Sequence, residues 1–288
     1  MTDSEIRAES QPVPGEAIIP ADLPFRVNPG TRVHLNELDP DDTGDVDGKK
    51  AAKKELKKLT QRIIGLQERL YAEDKQSLLV VLQATDTGGK DGAVRGVFSG
   101  VNPQGCRAWS FKAPSDEELS HDFLWRIHRR TPARGMISIF NRSQYEDVLI
   151  VRVKNLVPEE VWQKRFEQIN EFEQMLTANR TTVLKFFLHI SKDEQKERLE
   201  ARLDDPDKHW KFSVGDLKER DLWNEYQVAF EDALSRCSTD YAPWFVIPAN
   251  HKWFRNVAIA RTVVKTLEAM NPQFPEVTED LSGVVIPE

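Results

Sequence analysis

Cysteine is nearly missing: two residues in 288, Cys106 and Cys237, stand at no spacing that suits a metal or a redox pair. The expectation is two reduced thiols in a cytoplasmic protein. No apolar run approaches the length of a bilayer span, and the N-terminal residues lack the basic and apolar regions of a secretory leader. No membrane partner is therefore expected. Zinc-finger, aromatic ribonucleoprotein and other nucleic-acid motifs are lacking too, so nucleic acid is not expected among the partners. Internal repeats are absent, and no linker divides the chain. At this length the reading is one large α/β domain.

The net charge of −7 is unevenly spread. Residues 1–48 carry −8 and residues 271–288 carry −4, which leaves +5 on residues 49–270. An acidic wrapping around a basic core suits a polyanionic ligand. Residues 1–30 are polar and proline-punctuated and predict a mobile arm. Residues 31–76 comprise a loop and a helix. Within that loop, residues 36–48 have calcium-loop-like acidic spacing, but the glycine and terminal glutamate do not line up. In the helix, Ala52, Leu56, Leu59, Ile63, Leu66 and Leu70 repeat at steps of four and three, a face for packing on a sheet or on another subunit. Residues 77–270 form the main domain, and 271–288 an acidic tail.

The informative stretch is SLLVVLQATDTGGKDGAVR, 77–95. An apolar run, Leu78 to Leu82, has the make-up of a buried strand, and a helical pattern resumes around Ala93. Between them lie Asp86, Thr87, Gly88, Gly89, Lys90, Asp91 and Gly92. Strand, glycine turn, lysine and helix make a phosphate-binding loop: backbone N–H groups and a helix N-terminus face the oxyanion, and the lysine adds a point charge. The spacing departs from the usual Walker A pattern, with Ala84 at the first glycine and Asp91 at the hydroxyl residue. A tight turn needing glycine only for its dihedrals is the plainer alternative. Asp86 and Asp91 are candidate ligands for Mg²⁺, which takes hard oxygen donors.

Further strands are read at CRAWSF, MISIF, TVLKFFLHI and WFVIPA, alternating with helices. That order predicts a parallel five-stranded sheet covered on both faces. Ser115 and Glu118 open one helix running through Leu119, Phe123 and Ile127; its terminal Arg129 and Arg130 fit either the helix dipole or a ligand. Asn141, Arg142, Tyr145 and Glu146 follow the third strand, at the end of a buried strand where open sheets place chemistry. Ser143 with Glu146 also fits a capping box, which would make Glu146 a cap. The polar, proline-broken segment at about 198–220 carries Arg198, Arg202, Lys208 and Lys211 and reads as a lid. One helix is expected from about Asp216 to Ser235, and a last one over 254–270. A phosphate loop, carboxylates and a basic lid imply phosphoryl transfer, with cations where the equatorial oxygens gain charge.

Four blocks carry a resemblance: LQATDTGGKDGAVRGVFSGVNPQG, FNRSQYEDVLIVRVKNLVP, LKFFLHISKDEQKERLEARLDDPDKHWKFSVGDLKERDLW and YAPWFVIPANHKWFRN. Over about residues 25–270 the chain resembles the type 2 polyphosphate kinase family. The resemblance implies a thymidylate-kinase-like P-loop fold with a helical lid. It also implies Mg²⁺-dependent, often reversible transfer of a terminal phosphate from inorganic polyphosphate to a nucleotide, by a homotetramer or dimer. It assigns Asp86, Gly88, Gly89, Lys90 and Asp91 to the first phosphate motif, Asn141 and Arg142 to the second, and Arg198, Arg202, Lys208 and Lys211 to the lid. Asn141 stands where many relatives have aspartate, leaving Glu146 or Asp147 as the substitute carboxylate. This form resembles the subgroup accepting both AMP and ADP, with ATP as product. A basic lane of Lys112, Arg129, Arg130 and Arg134 would suit the polyanion, and Trp210 or Trp253 a purine. Two rivals stand beside this reading: an ATP-dependent nucleoside monophosphate kinase of the same fold, and a catalytically silent polyphosphate-binding protein.

Overall fold

The computed structural model describes residues 18–279, 281 and 284–287. After a short 3-10 turn, Leu35–Glu37, come α1 (Gly48–Glu73), β1 (Ser77–Gln83), α2 (Lys90–Val97) and β2 (Cys106–Ser110). Two single-turn helices follow, α3 (Asp116–Leu119) and α4 (Trp125–His128), then β3 (Ile137–Asn141), α5 (Ile150–Val153), α6 (Glu159–Ala178) and β4 (Thr181–His189). The chain closes with α7 (Lys192–Leu203), α8 (Val214–Asp221), α9 (Trp223–Arg236), β5 (Trp244–Pro248) and α10 (Lys252–Met270). The strand order is β2-β3-β1-β4-β5, every pair parallel. Among the described residues no helix is long and apolar enough to cross a membrane.

Alternation along the strands builds two cores. Leu78, Val80 and Leu82 of β1 face α1 and α10, whereas Leu79 and Val81 face α6 and α9. Central strands buried on both faces read as continuous apolar runs, which is why β1 was legible as a strand. The chain leaves β1 toward β2 and β3, then crosses back to β4. The ends of β1 and β3 therefore lie side by side, with Leu82 paired to Asn141, at the switch point where open α/β sheets take ligands.

Several local expectations are corrected. The mobile arm expected over 1–30 is docked from residue 18 to 30: Ile19 and Val27 are buried, and Phe25 and Val27 exchange backbone bonds with β5 as an antiparallel strap. Residues 1–17 lie outside the described residues. The helix expected from Ser115 is broken in two. Its capping box forms as expected, but the Asp122 carboxylate takes the Leu124 N–H, an Asx turn that competes with helix. The helix expected over 216–235 breaks at Leu222, between α8 and α9. Ser143 caps Tyr145 rather than Glu146, so no capping box forms there. Both cysteines are free thiols.

One buried polar cluster was not foreseen. Lys185, in the middle of β4, and Glu173, on α6, are both fully buried, 2.5 Å apart. Lys185 Nζ also donates to Tyr145 Oη and to the Cys237 carbonyl, while Tyr145 Oη and Gln144 Nε2 donate to Glu173. Tyr145, expected at the second motif, is thus a core residue. Removing one partner of a buried pair leaves the other charge uncompensated. Lys185→Met should cost about 3–5 kcal/mol in urea unfolding, and adding Glu173→Leu should recover part of it. A loss under about 1 kcal/mol for the single variant would show that the pair is not held ionised.

Candidate active site

Residues 84–89 turn the chain from β1 into α2. Thr87 and Gly89 have φ of +62° and +95°, and Arg142, after β3, has +64°. A non-glycine residue in this region is uncommon and concentrates at functional sites. The two loop glycines are required by space as well. A Cβ on Gly88 would lie 2.4 Å from that of Ala84, and one on Gly89 would lie 2.0 Å from Arg255 Nη1. The helix begins at Lys90, three residues earlier than the apolar pattern suggests, so the Lys90, Asp91 and Gly92 N–H groups form its open first turn.

Lys90 is buried and not free. Its Nζ donates to the carbonyls of Ala84, at 2.9 Å, and Thr85, at 3.5 Å. Burial, reinforced by Arg142, lowers its pKa to about 8 against the pull of Asp86, Glu146 and Asp91. Arg142 Nη2 donates to Asp86 Oδ1 at 3.0 Å. Burial opposes its charge, but Glu146 and Asp86 outweigh it and hold the pKa above the ordinary arginine value. Asn141 Nδ2 donates to Asp91 Oδ1 at 2.6 Å, and Lys211 Nζ lies 4.0 Å from the other Asp91 oxygen. Glu146 accepts from Gln83 and lines a pocket instead of capping a helix.

These residues bound two adjoining spaces. An open trough of about 620 Å³ runs over the phosphate loop from Thr87 to Gly92. Its cations are Lys90, Arg95, Lys112, Arg142, Arg198, Arg202, Lys208, Lys211, Lys252 and Arg255, against Asp86, Asp91 and Asp216. A smaller pocket of about 260 Å³ is lined by Trp223, Tyr226, Phe230, Leu149 and Ile150, with Asp86, Glu146, Asp216 and Glu219 as its acids. Asp86, Arg142 and Asp216 border both. One space suits a chain of oxyanions; the other suits a compact group with an aromatic-stacking face.

Arg198, expected to bind phosphate, is largely spent on the protein. It donates to the carbonyls of Thr87, Ala249 and Asn250 and pairs with Glu194, tying the loop to the end of β5. Arg202 pairs with Asp216, and Lys208 with Asp205. Of the expected lane, only Lys112 reaches the trough. Arg129 stacks on Trp125 and Arg130 on Trp109, and Arg134 borders neither space. Trp210 is exposed on the trough, while Trp253 packs against Phe254 and the core and lines neither space.

Sequence reasoning missed Arg95, Lys252 and Arg255 on the trough and Asp216, Glu219, Trp223 and Tyr226 on the pocket. The last four are spaced three, four and three residues apart, a helical face that was visible. Arg255 had a fainter signal, a cation among Phe254, Val257 and Ala258 on the apolar side of α10. Among the described residues no three histidine, cysteine or carboxylate side chains cluster as a protein-only metal cage.

The family profile for polyphosphate kinase 2 matches residues 47–275. An AMP/ADP-polyphosphate phosphotransferase of Meiothermus ruber is 54% identical over 263 residues, 91% of this chain and 98% of its own. An ADP-polyphosphate phosphotransferase of Rhodopseudomonas palustris is 43% identical over 266 residues, 88% and 92% of the two chains. The crystal structure of polyphosphate kinase 2 from Arthrobacter aurescens superposes with a TM-score of 0.86 at 45% identity, covering 89% of this chain and 92% of that one.

The loop geometry makes a direct prediction. Gly89→Ala must place a Cβ against Arg255 at a positive φ, so stability should fall by about 1–3 kcal/mol in thermal or urea unfolding. Retention of full stability would mean that the loop relaxes freely around this position.

Proposed function

The chain belongs to the polyphosphate kinase 2 family, and we propose that it transfers the terminal phosphate of inorganic polyphosphate to ADP, and also to AMP, in a reaction that runs in both directions. The observation that carries this reading is the pair of abutting spaces joined at Asp86 and Arg142. Polyphosphate lies along the cationic trough, and the nucleotide enters the aromatic pocket with its phosphates toward the junction.

A terminal phosphate oxygen of the nucleotide attacks the end phosphorus of the chain. As that P–O bond forms, the bridging P–O bond breaks, and its electron pair stays on the shortened polyphosphate. Both reactants are already anionic, so the protein's task is alignment and charge compensation. Lys90, Arg142 and the N–H groups of the first turn of α2 face the transferring oxygens. The lid, about 198–220, excludes water. Asp86 and Asp91 are the residues suited to Mg²⁺, which takes one or two carboxylates and completes its shell with water and phosphate oxygens. When bound, the ion neutralises charge on the phosphate oxygens. Asn141 adds an amide, so it orients Asp91 rather than contributing a further negative charge. The reading extends to a cytoplasmic homo-oligomer, dimer or tetramer.

³¹P NMR of the purified protein with Mg²⁺, polyphosphate and ADP or AMP tests this. New γ- or β-phosphate resonances are expected, with none when polyphosphate is replaced by water. Turnover only with a nucleoside triphosphate as donor would instead identify an ATP-dependent kinase. Lys90→Ala should lower transfer by about 10²-fold or more. Since Lys90 also bonds the loop carbonyls, thermal unfolding should shift slightly downward. Near-normal transfer in that variant would remove the loop from the chemistry.

A further inference from the structure

The trough's two walls differ in how their cations are satisfied. On the lid wall, Arg202, Lys208 and Lys211 each face a carboxylate, Asp216, Asp205 and Asp91. On the wall made by the first turn of α10, Lys252 and Arg255 make no ion pair among the described residues. Arg255 is only 3% exposed. Its Nε and Nη2 both donate to the Asn256 side-chain oxygen, leaving Nη1 against the phosphate loop at Gly89. The charge that acts on it is a second guanidinium, Arg198, which repels it.

A guanidinium this buried, next to another cation and lacking a carboxylate, is costly unless an anion completes it. The protein nonetheless keeps glycine at 89 and 92, the two positions where a Cβ would meet this group, at 2.0 and 3.0 Å. Lys252 continues the same positive edge along the trough. A condensed phosphate chain carries charge at every unit, so cations beyond the transferring group find a partner. A nucleoside triphosphate presents an uncharged nucleoside once its three phosphates end, and would leave such cations facing sugar and base.

We propose that Arg255 and Lys252 form a binding subsite for a further phosphate unit of a condensed phosphate chain, and that this wall selects polyphosphate over a nucleoside triphosphate as occupant of the trough. The assignment rests on the polyphosphate-transfer reading above and names residues which that reading does not require.

The test combines thermal unfolding with a medium-chain linear polyphosphate, longer than the triphosphate of a nucleotide, as a readout independent of turnover, and steady-state kinetics with long-chain polyphosphate and ADP. Arg255→Gln should lose most of the rise in Tm induced by the medium-chain polyphosphate and raise KM for long-chain polyphosphate about tenfold or more, with KM for ADP nearly unchanged. Arg255→Lys should recover part of both. The ligand-free Tm of Arg255→Gln should hold or rise, because an uncompensated buried charge has been removed. An unchanged ligand shift and KM would overturn the subsite, as would a lowered ligand-free Tm with equal losses for both substrates. Should Arg255→Gln not fold, Lys252→Gln, on an exposed side chain, carries the same test with a rise in polyphosphate KM of about threefold, and no rise overturns the proposal. Wild-type protein that is stabilised by the medium-chain polyphosphate, with that shift lost in Arg255→Gln, but transfers nothing would sink the proposed activity and leave the subsite standing; transfer by the wild type with unaltered variants would remove the subsite alone.

Discussion

Crowding of like charge at one edge of a parallel sheet is the constraint around which this protein is built. Lys90, Arg142, Arg198 and Arg255 converge on a loop whose glycines leave no room for side chains. Four cations in so small a region repel one another, and burial makes each charge dearer. The fold answers with backbone carbonyls for Lys90 and Arg198, and with Asp86 for Arg142. Only Arg255 is left leaning on a neutral amide. The framework beneath must be rigid enough to hold this arrangement. Its two apolar cores on β1 and the Lys185–Glu173–Tyr145 cluster behind the second motif supply that support.

The two spaces above the sheet edge have opposite characters that follow from different elements. The trough takes its charge from the phosphate loop, the lid and the start of α10. The pocket takes aromatic rings and acids from the face shared by α8 and α9. The trough is lined mainly by cations and the pocket by acids and aromatic rings, so the two linings favour ligand groups of different character. Asp86, Arg142 and Asp216 belong to both, so the seam between the two spaces is the Asp86–Arg142 ion pair with a further carboxylate beside it.

Much of this was legible from residues alone. The strand–glycine–lysine–helix order located the loop, and the alternation of strands and helices predicted the parallel sheet. The pairing of Asn141 with Asp91 explains how a second motif without its aspartate remains tied to the first. What stayed hidden depended on three-dimensional closure. Arg129 and Arg130 were plausible lane residues until aromatic rings claimed them: Trp125 stands four residues before Arg129 on α4, a helical spacing, but the contact of Arg130 with Trp109 of β2 leaves no periodic trace. Arg198 looked like a ligand contact, but a guanidinium carries enough donors to bind three carbonyls and a carboxylate, and sequence does not show which it finds. Lys185 sat in an apolar strand run with its partner twelve residues away on α6, a distance that periodicity cannot read.

The ion pairs on the lid wall bear on how that segment engages a ligand. Asp216, Asp205 and Asp91 already hold Arg202, Lys208 and Lys211, so an arriving polyanion must trade places with resident carboxylates. Engagement of the lid is then an anion exchange rather than capture by idle charge. Fewer bulk counterions are liberated than the tally of lysines and arginines suggests, and the energy gained per contact is correspondingly modest.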